Sequence, residues 1–474
     1  MRIYRLTIAV TSAVAMVTAA CNQDDVSPGI PLVSNVSVTL NPNNSLSMMV
    51  SARVANADSV RASYLSANEA QRFTPYYPVH GETVTLAVLG LLPNTTYALA
   101  LQAYGGGATV LSNPSSASTG DLPDALKSVS LVSTGTPEPG YLLVPLGVLG
   151  AVAFDHSGRI VWYRAFPLGT GERVDETAQQ PNGDFTTYVG TTSGWQADTG
   201  RFYEYTPNGE IVRVFRAGGG LYTDEHEPLL TGTSQGDMRA HLFGYDLRTV
   251  DQSSIGGPSN SLVAGHALLR MALDGHAEFQ WSAWDHFPVE QWAGPTQTDF
   301  DHTNALTFDL DGNYVVSVRN LSEVDKIDAQ TGQFIWRFGG KNGQFAIRND
   351  PDGGPSLQHA VRVLSNGHLL MYDNGVDHTP QESRAVEYAL DLTAMTATLV
   401  WQYRHTPAIY TPIVGYVQRF GNQKTLVAFG WAGVVNEVNP DGTVAWEGAV
   451  KVNGQTTTFY RARRIPSLYQ YQTP

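Results

Sequence analysis

His359-Ala360-Val361-Arg362-Val363-Leu364-Ser365-Asn366-Gly367-His368-Leu369-Leu370-Met371-Tyr372 reads as a strand, a tight turn and a second strand. Asn-Gly between two alternating apolar runs is a strong hairpin signal, because both residues accept the left-handed backbone of a tight turn. A second phrase recurs along the chain: a strand, a turn with Gly, then a strand bearing an aromatic. It is plainest in Ala153-Phe154-Asp155-His156-Ser157-Gly158-Arg159-Ile160-Val161-Trp162-Tyr163. It returns around Tyr205–Phe215, Met271–Trp281, Ile327–Trp336, Tyr388–Trp401 and Val438–Trp446. Five of the six copies carry Trp at or next to the end and one carries Phe215, which suits a buried outer strand. Six units with room for four strands each predict an all-β chain ending in a six-bladed β-propeller, in which radial repetition protects the sheet edges. A stack of sandwiches is disfavoured, since each unit is too short to bury a core of its own.

The bulk numbers agree. The 474 residues include 46 Gly and 26 Pro, so turns are frequent, and few long segments show a helical period. Net charge is −14, which argues against a nucleic-acid partner, because phosphate binding needs a basic surface.

Residues 1–20 read as a secretory signal: Arg2 and Arg5, an apolar run Leu6 to Val17, then Thr18-Ala19-Ala20. The one cysteine of the chain, Cys21, follows directly. That resembles a lipobox, with Cys21 as the lipidated residue and 21–31 as a tether. The chain is expected to be a secreted bacterial lipoprotein, periplasmic or anchored at the outer membrane or cell surface, reaching the membrane through its lipid. One cysteine also means no internal disulfide. Residues 32–120 are expected to form a β-sandwich, with strands at Val36–Leu40, Leu46–Val54, Ser59–Tyr64, Val84–Val88 and Tyr97–Tyr104. Leu91-Leu92-Pro93-Asn94-Thr95-Thr96-Tyr97 resembles the tyrosine corner of a fibronectin type III domain. A spacer, a docking surface or a homodimer surface suits such a domain. Ser115–Leu126 is the expected linker, and 127–465 the propeller.

The repeat also places polar residues. Counting back from the hairpin turns, His359 lies seven before Asn366-Gly367 and Asn304 seven before Asp311-Gly312, with His302 nine before. His226 lies nine before Gln235-Gly236, and Asp175 seven before Asn182-Gly183. Residues two apart on a strand share a face, so His302 and Asn304 should point together, and His226 and His359 with them. The first strand of a propeller blade lines the channel, so these side chains should ring one mouth. Counting across each hairpin sets Arg319 opposite Asn304, Asn374 opposite His359, and Gly190 and Gly430 at the same place in two other blades. In the third unit the count falls on Phe243, with Gly244 beside it. Such a mouth has space and positive potential for an anionic ligand. His156, His286 and His405 lie outside the register, His378 in a loop beyond Asn374, and His266, His276 and His368 carry no specific signal.

Asp301-His302-Thr303-Asn304, Ser317 to Val324, Trp336-Arg337-Phe338-Gly339-Gly340, Gln358-His359-Ala360, Tyr372-Asp373-Asn374-Gly375 and Ser383-Arg384-Ala385-Val386-Glu387-Tyr388 resemble the bacterial arylsulfate sulfotransferase family. The resemblance spans about residues 140–460 and implies a six-bladed propeller after a β-sandwich. It implies sulfuryl transfer from a phenolic sulfate donor to a phenolic acceptor, without nucleotide, cofactor or metal. By the same resemblance His359 is the nucleophile that becomes sulfated. His302 and His226 are further catalytic histidines, Arg319 holds the sulfuryl oxygens, and Asn304 and Asn374 bind substrate. The chain lacks the cysteine pair of better-known members, and Thr411 is near a Thr they carry. Two other classes fit some of the residues. Three axial histidines suit a metal ion, although Arg319 beside them opposes a cation. A non-catalytic surface propeller holding an anionic ligand or glycan fits the anchor and sandwich equally well.

Overall fold

The computed structural model describes residues 29–191, 199–232, 236–288 and 298–469. The segment expected to be a signal peptide, Cys21 and most of the expected tether lie outside the described residues. Leu32–Leu40, Met48–Ala55 and Thr83–Val88 form one sheet. Ser59–Ser66 and Thr96–Gly105 centre a second, with four short strands at its edges. Alternation along Met48–Ala55 turns Met48, Val50, Ala52 and Val54 inward, where they meet Val60, Tyr64, Tyr97 and Leu99 of the other sheet. The Tyr97 hydroxyl accepts from the Leu92 N–H at 3.0 Å and donates to Glu69 at 2.8 Å, so the corner is tied to the backbone as its spacing predicted. The linker is shorter than expected. Ser115–Ser118 pairs with the strand Thr96–Gly105 and belongs to the sandwich.

The remaining strands form six antiparallel blades around one axis. Blades 2, 4 and 6 have inner strands Glu172–Gln179, Thr303–Phe308 and Tyr416–Arg419. Blade 5 begins at His359–Val363 and gains Ala346–Arg348 as a parallel outer strand. In blade 3 the inner strand is split into Tyr222–Thr223 and Leu229–Thr231, both paired with Arg239–Val250. Blade 1 is closed from the far end of the chain: Arg463–Ile465 is its inner strand, against Tyr141–Pro145. Val129–Gly135 in turn adds an outer strand to blade 6. Both ends of the domain are thereby stitched into blades they do not follow in sequence.

The recurring aromatic phrase is the outer hairpin of each blade. Its Trp packs between blades: Trp162 lies flat against Phe185 of blade 2 at 5.0 Å, its indole N–H donating to the Pro207 carbonyl. Trp281 and Trp446 are equally buried, while Trp401 is half-buried. The apolar clusters join neighbouring blades, so truncating Trp162 to Ala would open a seam and cost about 3–5 kcal/mol.

Antiparallel order puts the turns between strands one and two, and between three and four, on one face of the ring. The sandwich docks on that face. Asn41 donates to the Asn208 carbonyl in the outer turn of blade 2, and Asn44 to the Tyr163 carbonyl of blade 1, both at 2.8 Å. The starts of the inner strands lie on the opposite face.

Candidate active site

His359 begins the inner strand of blade 5 and is buried. Its Nδ1–H donates to Asn374 Oδ1 at 2.7 Å. The amide cannot turn round, because Asn374 Nδ2 donates to the carbonyls of Thr411 (2.8 Å) and Val414 (3.0 Å). A neutral imidazole with Nδ1 protonated carries its lone pair on Nε2. Burial holds the ring well below the usual imidazole pKa, and the nearby Arg319 charge lowers it further. His359 is therefore neutral at neutral pH, with the position of its lone pair defined.

The other two histidines have acidic partners. His302, a quarter exposed, makes its Nδ1 contact with Asp299 Oδ2 at 2.5 Å, and Asp299 Oδ1 also accepts its backbone N–H. Burial raises Asp299, but the contact with His302 outweighs it and leaves the carboxyl below its ordinary range. His226 is buried and donates from Nδ1 to Asp224 Oδ1 at 2.8 Å. Burial takes its pKa down to about 4 against the pull of Asp224, so this ring is neutral too. The His226 and His302 rings meet edge to face with centroids 5.0 Å apart. His226 therefore does not serve as a standing positive charge.

Arg319 follows the second strand of blade 4. Its Nη1 donates to Asn320 Oδ1 at 2.7 Å and its Nη2 to the Pro412 carbonyl at 2.9 Å, while Nε has no partner. Among the described residues no carboxylate pairs with it. A half-buried guanidinium with no carboxylate partner is prepared for an anion. Thr411–Val414 is thus a strut that holds both Asn374 and Arg319 through backbone carbonyls. The Thr411 hydroxyl is taken up by Tyr372 and Ser383, so its share in the site runs through its carbonyl.

Below the histidines the channel is filled. Arg461 lies 3.0 Å from Glu227 and 3.4 Å from Glu176. Arg463 contacts both glutamates, and Arg362 pairs with Glu227. Three guanidinium groups face two carboxylates, so the plug keeps a net positive charge beneath the mouth. Arg461 also donates to the Asn304 carbonyl at 2.8 Å. Beside His226, at 5.8 Å between ring centroids, stands Tyr460, whose buried hydroxyl has no partner.

The sequence-derived residues His226, His302, His359, Arg319, Asn304 and Asn374 come together at one mouth, but not through the expected pairing. The inner strands bulge where the count assumed a plain hairpin. Val174 pairs with Val189 and the next pair is Thr177 with Thr187; Thr303 pairs with Val318 and then Ala305 with Ser317. Arg319 consequently bonds back to the His302 carbonyl instead of lying opposite Asn304. His359 is opposite Tyr372, and Asn374 reaches it from beyond the strand end. The bulge separates His302 from Asn304, whose amide is fully buried and donates to the Gln358 carbonyl at 2.9 Å, with Oδ1 left free. Asp175 turns to Arg173 and leaves Glu176 on the axis.

The glycines do not make space either. A Cβ on Gly190 would meet the Tyr188 hydroxyl at 2.4 Å, and one on Gly430 the Phe459 carbonyl oxygen at 2.4 Å. They permit close packing. Phe243 is core and Gly244 abuts Ala217, so neither faces a ligand.

The sequence reading missed Asp224, Asp299, Tyr460 and Arg461, and gave His266 no role. Tyr460 and Arg461 precede the inner strand of blade 1, which the count lacked because it comes from the far end of the chain. The missing first strand of the first unit was the available signal. His266, on the third strand of blade 3, is fully buried between Asp224 and Asp301. His378 is used structurally, its Nε2 bonding to the Gly354 carbonyl. Asp224, His226 and His266, and His266, Asp299 and Asp301, each bring possible metal-ligand atoms within 4.8 Å of one another. Both ring nitrogens of His266 point at carboxylates, an arrangement for donated hydrogen bonds.

A β-propeller with imidazoles converging on an unpaired guanidinium at one mouth is a protein whose centre is built for an anion. The chain belongs to the arylsulfotransferase (ASST) family, whose model matches residues 149–461. Membership implies aryl sulfate sulfotransferase activity on phenolic sulfates. No curated protein matches the chain. Among solved structures, a protein of unknown function from Bacteroides caccae is 13% identical, with a TM-score of 0.44 over 69% of this chain and 98% of its own. A streptogramin B lyase is 11% identical with a TM-score of 0.36, over 68% of this chain and 88% of its own. A puromycin hydrolase is 14% identical with a TM-score of 0.37, over 78% and 53%. Likenesses this slight carry no argument about the chain.

Proposed function

We propose that the protein transfers a sulfuryl group from a phenolic sulfate ester to a phenolic acceptor through a sulfohistidine at His359, without a nucleotide donor. The observation that carries this reading is the pairing of His359 with a locked neutral amide. His359 Nε2 attacks sulfur, the bond from sulfur to the aryl oxygen breaks, and the leaving oxygen takes a proton from His302. The Nδ1–H stays on Asn374 throughout, so the sulfated ring remains in place. Arg319 and the free Tyr460 hydroxyl donate to the sulfuryl oxygens, where charge shifts in the transition state. In the second half, His302 or His226 takes the proton of the acceptor phenol, whose oxygen attacks sulfur. The S–N bond breaks and the lone pair returns to Nε2. Proton demand reverses between the halves, so one imidazole can serve both.

We extend the proposal to location: lipidation at Cys21 would tether the chain to a bacterial membrane by way of its sandwich.

The test is incubation of the chain lacking residues 1–20 with 4-nitrophenyl sulfate and a phenol. The expected result is acceptor-dependent nitrophenol release with a sulfated His359 peptide, trapped in alkali and found by mass spectrometry. Absence of release with several acceptors from folded protein would leave a propeller that only binds anionic ligands.

A further inference from the structure

His266 is a fully enclosed ionisable group near the site, and the steps above do not use it. Its ring is fully buried. Nδ1 lies 3.1 Å from Asp301 Oδ1 and 3.9 Å from Asp299 Oδ1, while Nε2 lies 3.3 Å from Asp224 Oδ2. Asp224 in turn holds His226, and Asp299 holds His302. One imidazole therefore joins the carboxylates behind both histidines. Other groups facing it are Tyr245, at 4.6 Å between ring centroids, and His302 at 6.0 Å. Glu225 stands one step away, accepting from the Tyr245 hydroxyl at 3.0 Å.

A neutral imidazole has one N–H and one lone pair. Whichever nitrogen lost its proton, the lone pair would face a carboxylate in a site nearly free of water. The Thr303 N–H also points at Nδ1, at 3.4 Å, and would favour a lone pair there. That contact is longer than the Asp301 contact and neutral, so the carboxylate outweighs it. Three carboxylates packed together without a cation would also repel one another at high cost. We infer that His266 is a positioning residue: an imidazolium that keeps Asp224 and the Asp299–Asp301 pair ionised and so fixes the rings of His226 and His302. The shift of its proton affinity agrees, since Asp301 and Asp224 raise it well above the usual imidazole range against the effect of burial. Asp301 is itself held from its other oxygen by the Thr303 hydroxyl at 2.6 Å, which keeps the pair in register.

The kinetic consequence rests on the proposed sulfuryl transfer; the charge state does not. Nitrogen-15 spectra of the histidine rings in the wild-type protein should show one imidazolium, both nitrogens protonated, that persists above the usual imidazole range and is absent from His266→Gln. A neutral ring protonated only on Nε2, with Thr303 donating to Nδ1, would overturn the inference. His266→Gln keeps a donor but no charge. Its pH profile for 4-nitrophenyl sulfate should move upward by about one unit or more, because a positive neighbour of the catalytic imidazoles is gone. A fall in rate with an unmoved profile would make His266 merely structural and also overturn the inference. His266→Asn serves where the Gln variant does not fold. Should the wild-type protein transfer nothing, the functional reading falls and the ring spectra still decide the state of His266.

Discussion

Blade 5 and the pair of blades 3 and 4 each present a histidine to the same mouth, but they hold its Nδ1 differently. In blade 5 the partner is the neutral amide of Asn374, 2.7 Å from His359. In blades 3 and 4 the partners are the carboxylates Asp224 and Asp299. An amide fixes a tautomer without adding much proton affinity. A carboxylate fixes it and stabilises the imidazolium. A nucleophile must keep its lone pair, whereas a proton carrier must be able to gain and lose a proton. On the proposed mechanism the partner separates His359 from His302, while burial keeps His226 neutral in spite of Asp224.

Removing one side of the comparison altogether has the largest expected effect. His359→Ala should lower transfer from 4-nitrophenyl sulfate by about 10⁴-fold or more, with no sulfated peptide in the mass spectrum. Survival of the sulfated species elsewhere in the chain would assign the nucleophile to another blade. On the other side, Asp299→Asn replaces a carboxylate by an amide and makes blade 4 resemble blade 5. Turnover should fall by about 10²-fold or more, chiefly with donors whose leaving phenols are poor, since those need protonation most. An equal loss for good and poor leaving groups would contradict proton delivery by His302.

The converse exchange, Asn374→Asp, makes blade 5 resemble its neighbours. The new charge opposes the burial that keeps His359 low, so the ring protonates at higher pH and loses its Nε2 lone pair. In the wild type the acid limb set by His359 lies well below the usual imidazole range. In the variant it should rise by about one unit or more, with activity recovering as pH increases. An unshifted acid limb would separate His359 from the rate. Tyr460→Phe tests the unmatched hydroxyl beside His226. Loss of one donor to an anionic group should cost about tenfold in kcat/KM with little change in thermal stability, because that hydroxyl has no partner in the free protein. A clear loss of stability would instead give it a structural role.

Much of this was legible before the fold was known. Asn366-Gly367 and Asp311-Gly312 specify hairpins through local backbone preference, and the aromatic phrase marks each outer pair. The repeat then fixes which residues stand at the head of an inner strand. It failed at the details that set their chemistry. A count of two per step cannot survive the bulges at Asp175, Asn304 and Ala360, and the interrupted strand around His226 has no plain hairpin register at all. Glycines that read as empty space proved to be points of contact with Tyr188 and the Phe459 carbonyl.

Local signals along the chain were enough for a blade count, a sandwich with a tied tyrosine corner and a set of axial histidines, because turn chemistry and strand alternation act between near neighbours. The folded chain was needed to see that Asn374 is the neutral support of His359, that Asp224 and Asp299 stand behind the other two, and that His266, Tyr460 and Arg461 join them. Those partners come from different blades and from the closing strand. Hydrogen-bond geometry and desolvation depend on distances of a few ångströms between segments that are remote along the chain.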